Sequence, residues 1–283
     1  MTSNDRPVAL VTGASRGIGK ACAVHLARAG YDVAVAARTL TEGAGRSDQD
    51  PAVAIPGGLD TTVAGIEAEG GAGLAVRMDL MDRQTLTDGV AEVLDRFGRI
   101  DLLLNNAIYQ GRGAMEPFLD LQDDDLQRLF EGNVFAQLAL LRDVLPGMLE
   151  RGSGTVMNMI SATAHVTPPA PVGKGGWGVA YAMSKAALER VANVLQVEYR
   201  ELGLRFFSID PGRVITEAAE ARGSGKEFDR FFQGATPEII GAAVAWLATS
   251  PEADDLLGQI VFAQRECKRR NLVPGWPPPR PEA

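Results

Sequence analysis

Apolar residues come in short, nearly unbroken runs, separated by longer stretches in which apolar positions recur every three or four residues. The runs at 8–12, 32–38, 73–78, 101–104, 155–159, 204–209 and 257–262 predict seven strands. Most are continuously apolar rather than alternating, which is what strands covered on both faces require, so they belong in a parallel sheet. The periodic stretches at 17–29, 61–69, 83–97, 124–150, 180–202 and 237–248 predict helices. Strand and helix alternate from end to end, and a parallel crossover needs a helix to carry the chain back. The pattern predicts a seven-stranded, doubly wound parallel α/β sheet of Rossmann type. No fixed-period repeat and no linker divides it, so a single domain is expected over residues 1–283.

Two segments break the alternation. Residues 39–59 carry Gly43, Gly45, Pro51, Pro56, Gly57 and Gly58 with little periodicity and read as a long surface insertion after the second strand. The tail, 265–283, is basic at Lys268, Arg269 and Arg270, then rich in proline from Pro274 onward, where neither a helix nor a central strand is expected. Either segment is expected to reach over a neighbouring subunit or to hang free.

Composition narrows the function. The chain is 46% hydrophobic and 23% charged, a globular balance, and 36 acidic against 28 basic side chains leave a net charge of −8. That surface repels polyanions, so no nucleic-acid partner is expected. A polar start without an apolar leader, and no apolar run of membrane length, predict a cytoplasmic protein without a membrane partner. Two distant cysteines, Cys22 and Cys267, argue against disulfides and a zinc site, and no metal is expected. The Asp123-Asp124-Asp125 run begins a predicted helix, where acids complement the dipole.

The chemistry starts at Thr12-Gly13-Ala14-Ser15-Arg16-Gly17-Ile18-Gly19, between the first strand and first helix. Glycines at such a turn let the backbone approach a pyrophosphate, which the helix N-terminal amides then meet. Further along, Tyr181 and Lys185 are four residues apart on a predicted helix, hence on one face. A tyrosine can exchange a proton with a substrate oxygen if a neighbouring cation lowers its pKa of about 10 toward working pH. Ser161 follows the fifth strand at its carboxyl end, where doubly wound folds bind ligands. No Gly-x-Ser-x-Gly elbow surrounds it, so His165, four residues on, does not make a hydrolase.

The Thr-Gly-x-x-x-Gly-x-Gly turn resembles that of the compact short-chain dehydrogenase/reductase family. Further matches come in the same order: Asp79, Asn105-Asn106-Ala107, Asn133, Ser161, Tyr181-x-x-x-Lys185 and Pro211-Gly212. The insertion followed by Asp60-Thr61-Thr62 resembles hydroxysteroid dehydrogenase-like members, which lengthen the same loop. The resemblance implies that Tyr181 is the general acid/base, Ser161 bonds the substrate oxygen, Lys185 sets the tyrosine pKa and holds the nicotinamide ribose, and Asn133 supports a proton-relay water. It implies cofactor contacts from Gly13, Ser15, Arg16, Gly17, Ile18, Gly19, Arg38, Asp79, Leu80, Asn106, Ala107, Tyr181, Lys185, Pro211, Gly212, Val214 and Thr216. Phe228, Phe231 and Phe232 fall where the family has a substrate lid. The long helices, with Phe135, Leu138, Leu141 and Leu145, then Leu188, Val191, Leu195 and Val197, imply a homodimer or homotetramer.

The pattern departs from the family at Ile108, usually glycine, and in the 20 positions from Ser161 to Tyr181. The expected activity is hydride transfer between a nicotinamide and a small-molecule ketone or secondary alcohol. NADP is expected over NAD, because Ala37 stands where NAD-dependent relatives carry a ribose-binding acid and Arg38 follows it. Arg16 would close on the same phosphate. A regulatory protein that binds nucleotide without turnover is the alternative from another class; the complete Asn, Ser, Tyr and Lys set argues against it. A nucleotide-sugar epimerase or dehydratase is the second, against which stands the glycine spacing.

Overall fold

The computed structural model describes residues 6–223, 231 and 234–277. Seven parallel strands, β1 (Val8–Thr12), β2 (Asp32–Ala37), β3 (Gly73–Arg77), β4 (Leu102–Asn105), β5 (Gly154–Met159), β6 (Leu204–Asp210) and β7 (Ile260–Phe262), lie in the order 3-2-1-4-5-6-7. One face is covered by α1 (Gly17–Arg28), α2 (Leu59–Ala68) and α8 (Pro237–Thr249) through residues such as Leu26, Ile66 and Val244. The other is covered by α3 (Arg83–Phe97), α5 (Ala136–Arg151) and α6 (Val179–Tyr199) through Leu86, Leu140 and Ala192. Burying each large aliphatic side chain contributes about 1.5–3 kcal/mol, which explains why the strands carry so few polar positions. The strand order reverses at the β1/β4 pair, opening a crevice beyond their carboxyl ends.

Three predicted elements are corrected. The long helix expected over 124–150 is two: α4 (Asp123–Phe130) and α5, joined by a π-turn at Glu131–Phe135. The last strand is shorter than expected, because Leu257, Gly258 and Gln259 turn after the 3-10 helix Pro251–Leu256, with Gly258 at φ +74°. The described part of the tail, through Pro277, is docked on the body of the chain. Its basic part forms α9 (Ala263–Arg269), which buries Cys267, and Leu272, Val273 and Trp276 pack back onto the core. A shorter helix, α7 (Glu217–Ala221), follows β6.

The insertion is likewise docked on its own chain. Its two ends meet at a neck, where the Leu59 amide donates to the Thr39 carbonyl (3.1 Å) and the Asp60 amide to that of Leu40 (3.0 Å). Between them Arg46 and Ala54 form an antiparallel bridge, and Ser47 is buried.

Candidate active site

The glycine turn is held by side chains at the ends of β1 and β4. The Thr12 hydroxyl donates to the Leu104 carbonyl (3.1 Å) and accepts from the amides of Asn106 and Ala107 (both 3.0 Å). The Asn106 amide group donates to the carbonyls of Thr12 (2.9 Å) and Gly13 (3.2 Å). The need for glycine is steric: at Gly13, which has φ +66°, a β-carbon would stand 2.7 Å from Ala107 Cα, and at Gly19 it would run into the Gly13 carbonyl. The first turn of α1 therefore sits directly against the end of β1.

This turn forms the floor of a cleft lined by Gly13, Ser15, Arg16, Gly17, Ile18, Gly19, Arg38, Asp79, Leu80, Asn106, Ala107 and Thr216, all named from the sequence. Ile108 lines it too. The Asp79 carboxylate accepts from the Met81 amide (3.0 Å), shaping its own turn. The Gly17 amide, at the N-terminus of α1, donates to the Glu217 carboxylate (3.1 Å). A carboxylate resting on that amide fits the donor chemistry a dinucleotide pyrophosphate needs. Pro211 and Gly212 are braced from behind: Gln264 Nε2 donates to the carbonyls of Pro211 (2.9 Å) and Arg213 (2.8 Å). Val214 bridges to Ala235 and packs on the core.

Beyond the cleft, Ser161 leaves β5 and caps a 3-10 turn, Ala162–Ala164, where it accepts from the Thr163 amide (3.3 Å). Its side chain stands beside Tyr181 at the start of α6 and favours the charged form of that hydroxyl. One turn along α6, Lys185 is buried; its Nζ donates to the Met159 carbonyl (2.7 Å) and lies 6.0 Å from the Tyr181 ring centre. Burial pushes the Tyr181 hydroxyl up to about 12; Ser161 pulls it down and the Asp210 charge adds to the rise. Burial also pulls the Lys185 ammonium down to about 7.

Asn133 sits in the π-turn, buried, and its side chain is tied off on both sides. Its Oδ1 accepts from the Tyr109 amide (2.7 Å), and its Nδ2 donates to the Tyr109 carbonyl and the Ser184 hydroxyl (3.3 Å each). Ser184 in turn donates to the Tyr181 carbonyl (2.9 Å). The extra residue of a π-turn re-aims a side chain, and such turns concentrate at functional sites. Here it joins the β4 loop to the first turn of α6.

Several site residues were not legible beforehand. The insertion brings Arg46, Ser47, Asp48 and Ile55 to the cleft, and Asp48 forms an ion pair with Arg38 (2.7 Å). Arg16 closes on the same insertion, donating to the carbonyls of Pro56 (2.5 Å) and Gly57 (3.2 Å). Arg222 also lines the cleft and donates to Gln110 (3.1 Å). His165 pairs with the buried Asp210 (3.0 Å), its ring edge-on to Phe262. Only a charge among the glycines of the insertion hinted at Asp48. Of the aromatic residues assigned to a lid, Phe231 is exposed, and Phe228 and Phe232 lie outside the described residues.

Residues 7–227 match the family model for short chain dehydrogenases. The chain is 31% identical over 245 residues to a gluconate 5-dehydrogenase of Gluconobacter oxydans, covering 83% of this chain and 85% of that protein. It is 32% identical over 257 residues to an uncharacterized NAD-dependent oxidoreductase of Mycobacterium tuberculosis, covering 85% and 88%. The solved alcohol dehydrogenase of Thermococcus sibiricus, complexed with 5-hydroxy-NADP, superposes with a TM-score of 0.70 at 25% identity, covering 90% of this chain and 95% of that one. With the family model matched over most of the chain and relatives alike over more than four fifths of it, this protein belongs to the short-chain dehydrogenase/reductase family of NAD(P)-binding oxidoreductases.

Proposed function

We propose that this protein interconverts a small-molecule ketone and its secondary alcohol with NADP(H) as preferred cofactor. The observation that carries this is Ser161 at the carboxyl end of β5 beside Tyr181 of α6, with buried Lys185 one helical turn along and its Nζ on the Met159 carbonyl. When bound, the nicotinamide gives or takes the hydride. In the reducing direction Tyr181 donates its hydroxyl proton to the carbonyl oxygen as that oxygen gains charge, and Ser161 donates a hydrogen bond to the same oxygen. NADPH, the ketone and one proton become NADP⁺ and the alcohol. Oxidation runs the same steps backward, with Tyr181 accepting the proton. Lys185 stabilises the tyrosinate formed in each turnover, and Asn133 fixes the β4 loop against α6 so that these groups keep their spacing.

The preference for NADP(H) rests on Ala37 at the end of β2 and on Arg38 beside it in the cleft. Arg16, Arg46 and Arg222 make that end of the cleft richer in cations than in anions. The assembly is a homodimer or homotetramer.

A cofactor-coupled absorbance screen over ketones and alcohols, run with NADP(H) and NAD(H), tests this reading. Turnover of at least one pair, faster with NADP(H) and lost in Tyr181→Phe, is expected. Tight cofactor binding with no turnover on any carbonyl would instead make the protein a nucleotide-binding module.

A further inference from the structure

The positions suited to reading phosphate already carry carboxylates from the chain itself. One is the Gly17 amide, which donates to Glu217 of α7. The other is the Arg38 guanidinium, which meets Asp48 of the insertion at 2.7 Å. An arginine fork binds carboxylate and phosphate in the same geometry, so two such anions compete for it. Asp48 cannot swing aside freely. The Asp48 side chain is only 17% exposed, and the insertion is fixed on either side of it: the Ser47 amide donates to the Val53 carbonyl (3.0 Å), and Arg16 holds Pro56 and Gly57. Gly57 packs so tightly that a β-carbon there would stand 2.5 Å from the Ser15 carbonyl. The insertion is therefore docked on the glycine turn with its acid aimed at the one arginine that follows β2.

From this we infer that Asp48 is a cofactor-specificity residue: a resident anion on Arg38 that the 2′-phosphate of NADP(H) must displace, and that NAD(H) leaves in place. The inference rests on the proposed reading of the cleft as an NADP(H) site. Family members that favour NAD place an acid at the end of the second strand; here that position is Ala37, and the acid arrives from a separate loop. Asp48 narrows the preference for NADP(H) without reversing it. Glu217 acts at a position common to both dinucleotides, so its charge weakens both alike.

Calorimetric titration separates these effects without relying on turnover. The probes are adenosine 2′,5′-bisphosphate, 5′-AMP, ADP, NADPH and NADH; the proteins are wild type, Asp48→Asn, Asp48→Ala, Arg38→Leu, Arg38→Leu/Asp48→Asn and Glu217→Gln. Asp48→Asn keeps the side-chain volume, and Asp48→Ala guards against a new amide contact; matched circular dichroism and melting establish that each variant is folded. Both Asp48 variants are expected to bind the bisphosphate and NADPH about tenfold more tightly, roughly 1.4 kcal/mol, with 5′-AMP and NADH within twofold of wild type. Arg38→Leu should abolish that gain. Glu217→Gln should tighten ADP and both dinucleotides equally. If Arg38→Leu weakens NADPH selectively but the Asp48 variants leave the NADPH/NADH ratio unchanged, the role of Asp48 is overturned while the NADP(H) reading stands. If Arg38→Leu leaves that ratio unchanged, the NADP(H) reading falls and takes the inference with it.

Discussion

Lys185 Nζ donates to the Met159 carbonyl at 2.7 Å from a side chain that is 2% exposed. Among the described residues no acid forms an ion pair with it, and burial pulls its pKa from 10.5 to about 7. Between those values the unfolded chain binds a proton that the folded chain does not, so this group's contribution to stability is greatest above pH 10.5 and is lost as pH falls through about 7.

Replacement of this lysine separates folding from chemistry. Lys185→Met is expected to melt higher than wild type at about pH 6, less about 1 kcal/mol for the lost hydrogen bond, with the gain shrinking toward alkaline pH. Turnover should fall at least about a hundredfold. Thermal melts across pH decide it; a variant that melts lower at acid pH would show that the buried ammonium is stabilised by the fold.

Removal of the Tyr181 hydroxyl is expected to lower kcat at least about a hundredfold while cofactor affinity survives. With that hydroxyl pushed up to about 12, it is protonated at neutral pH and ready to donate in the reducing direction. Alcohol oxidation needs it deprotonated, so kcat/KM for oxidation should climb with pH to at least about pH 10, since that parameter reports the free enzyme. A plateau below about pH 8, followed in initial-rate assays, would mean that the tyrosine ionises far more easily than its burial implies.

Assembly can be tested on the faces the fold leaves open. Of the helix residues named for an interface, Leu141, Leu145 and Leu188 turn out to be core, whereas Phe135 is 47% and Val197 76% exposed, with Met183 and Val194 beside them in the same class. Light scattering at micromolar concentration is expected to give a dimer or tetramer mass, reduced by Phe135→Asp combined with Val197→Asp. A monomeric wild type would contradict the proposed assembly.

The tail should matter to stability rather than to chemistry. Trp276 packs on the core, and Arg270 lies 3.7 Å from the centre of the Trp246 ring while pairing with Glu252 and Glu266. Trp276→Ala is expected to destabilise by about 1–3 kcal/mol, less than a fully buried tryptophan would, with kcat within twofold. Urea midpoints and initial rates measure both; an unchanged midpoint would mean that the tail packing contributes nothing.

What could be read in advance was whatever repeats a local physical rule. The strands betray themselves by unbroken apolar runs, and six of the seven both begin and end within one residue of their predicted limits. The glycine turn is legible because its glycines stand in a fixed spacing between a strand and a helix, even though the contact that Gly13 answers to, Ala107, lies far along the chain. The π-turn was not, since 124–150 keeps its apolar period while one residue is inserted around Asn133. Asp48 and Glu217 were hidden for a different reason. Each reaches its partner across a long loop, Asp48 to Arg38 and Glu217 to Gly17, and no local periodicity encodes where an irregular segment comes to rest. The burial around Tyr181 and Lys185 was not legible either, because spacing reports proximity and says nothing of desolvation.

The neck that joins Thr39 to Leu59 gives the insertion a modular character. The chain leaves the scaffold and returns to it at almost the same point, through two backbone hydrogen bonds that belong to the framework rather than to the excursion. Lengthening such an excursion adds closure entropy only logarithmically, about 0.6 kcal/mol per doubling. Segments of different length and charge can therefore be exchanged at this root while β2 and α2 stay in place, so the groups that the insertion sets against Arg38 can change independently of the residues carried by α6.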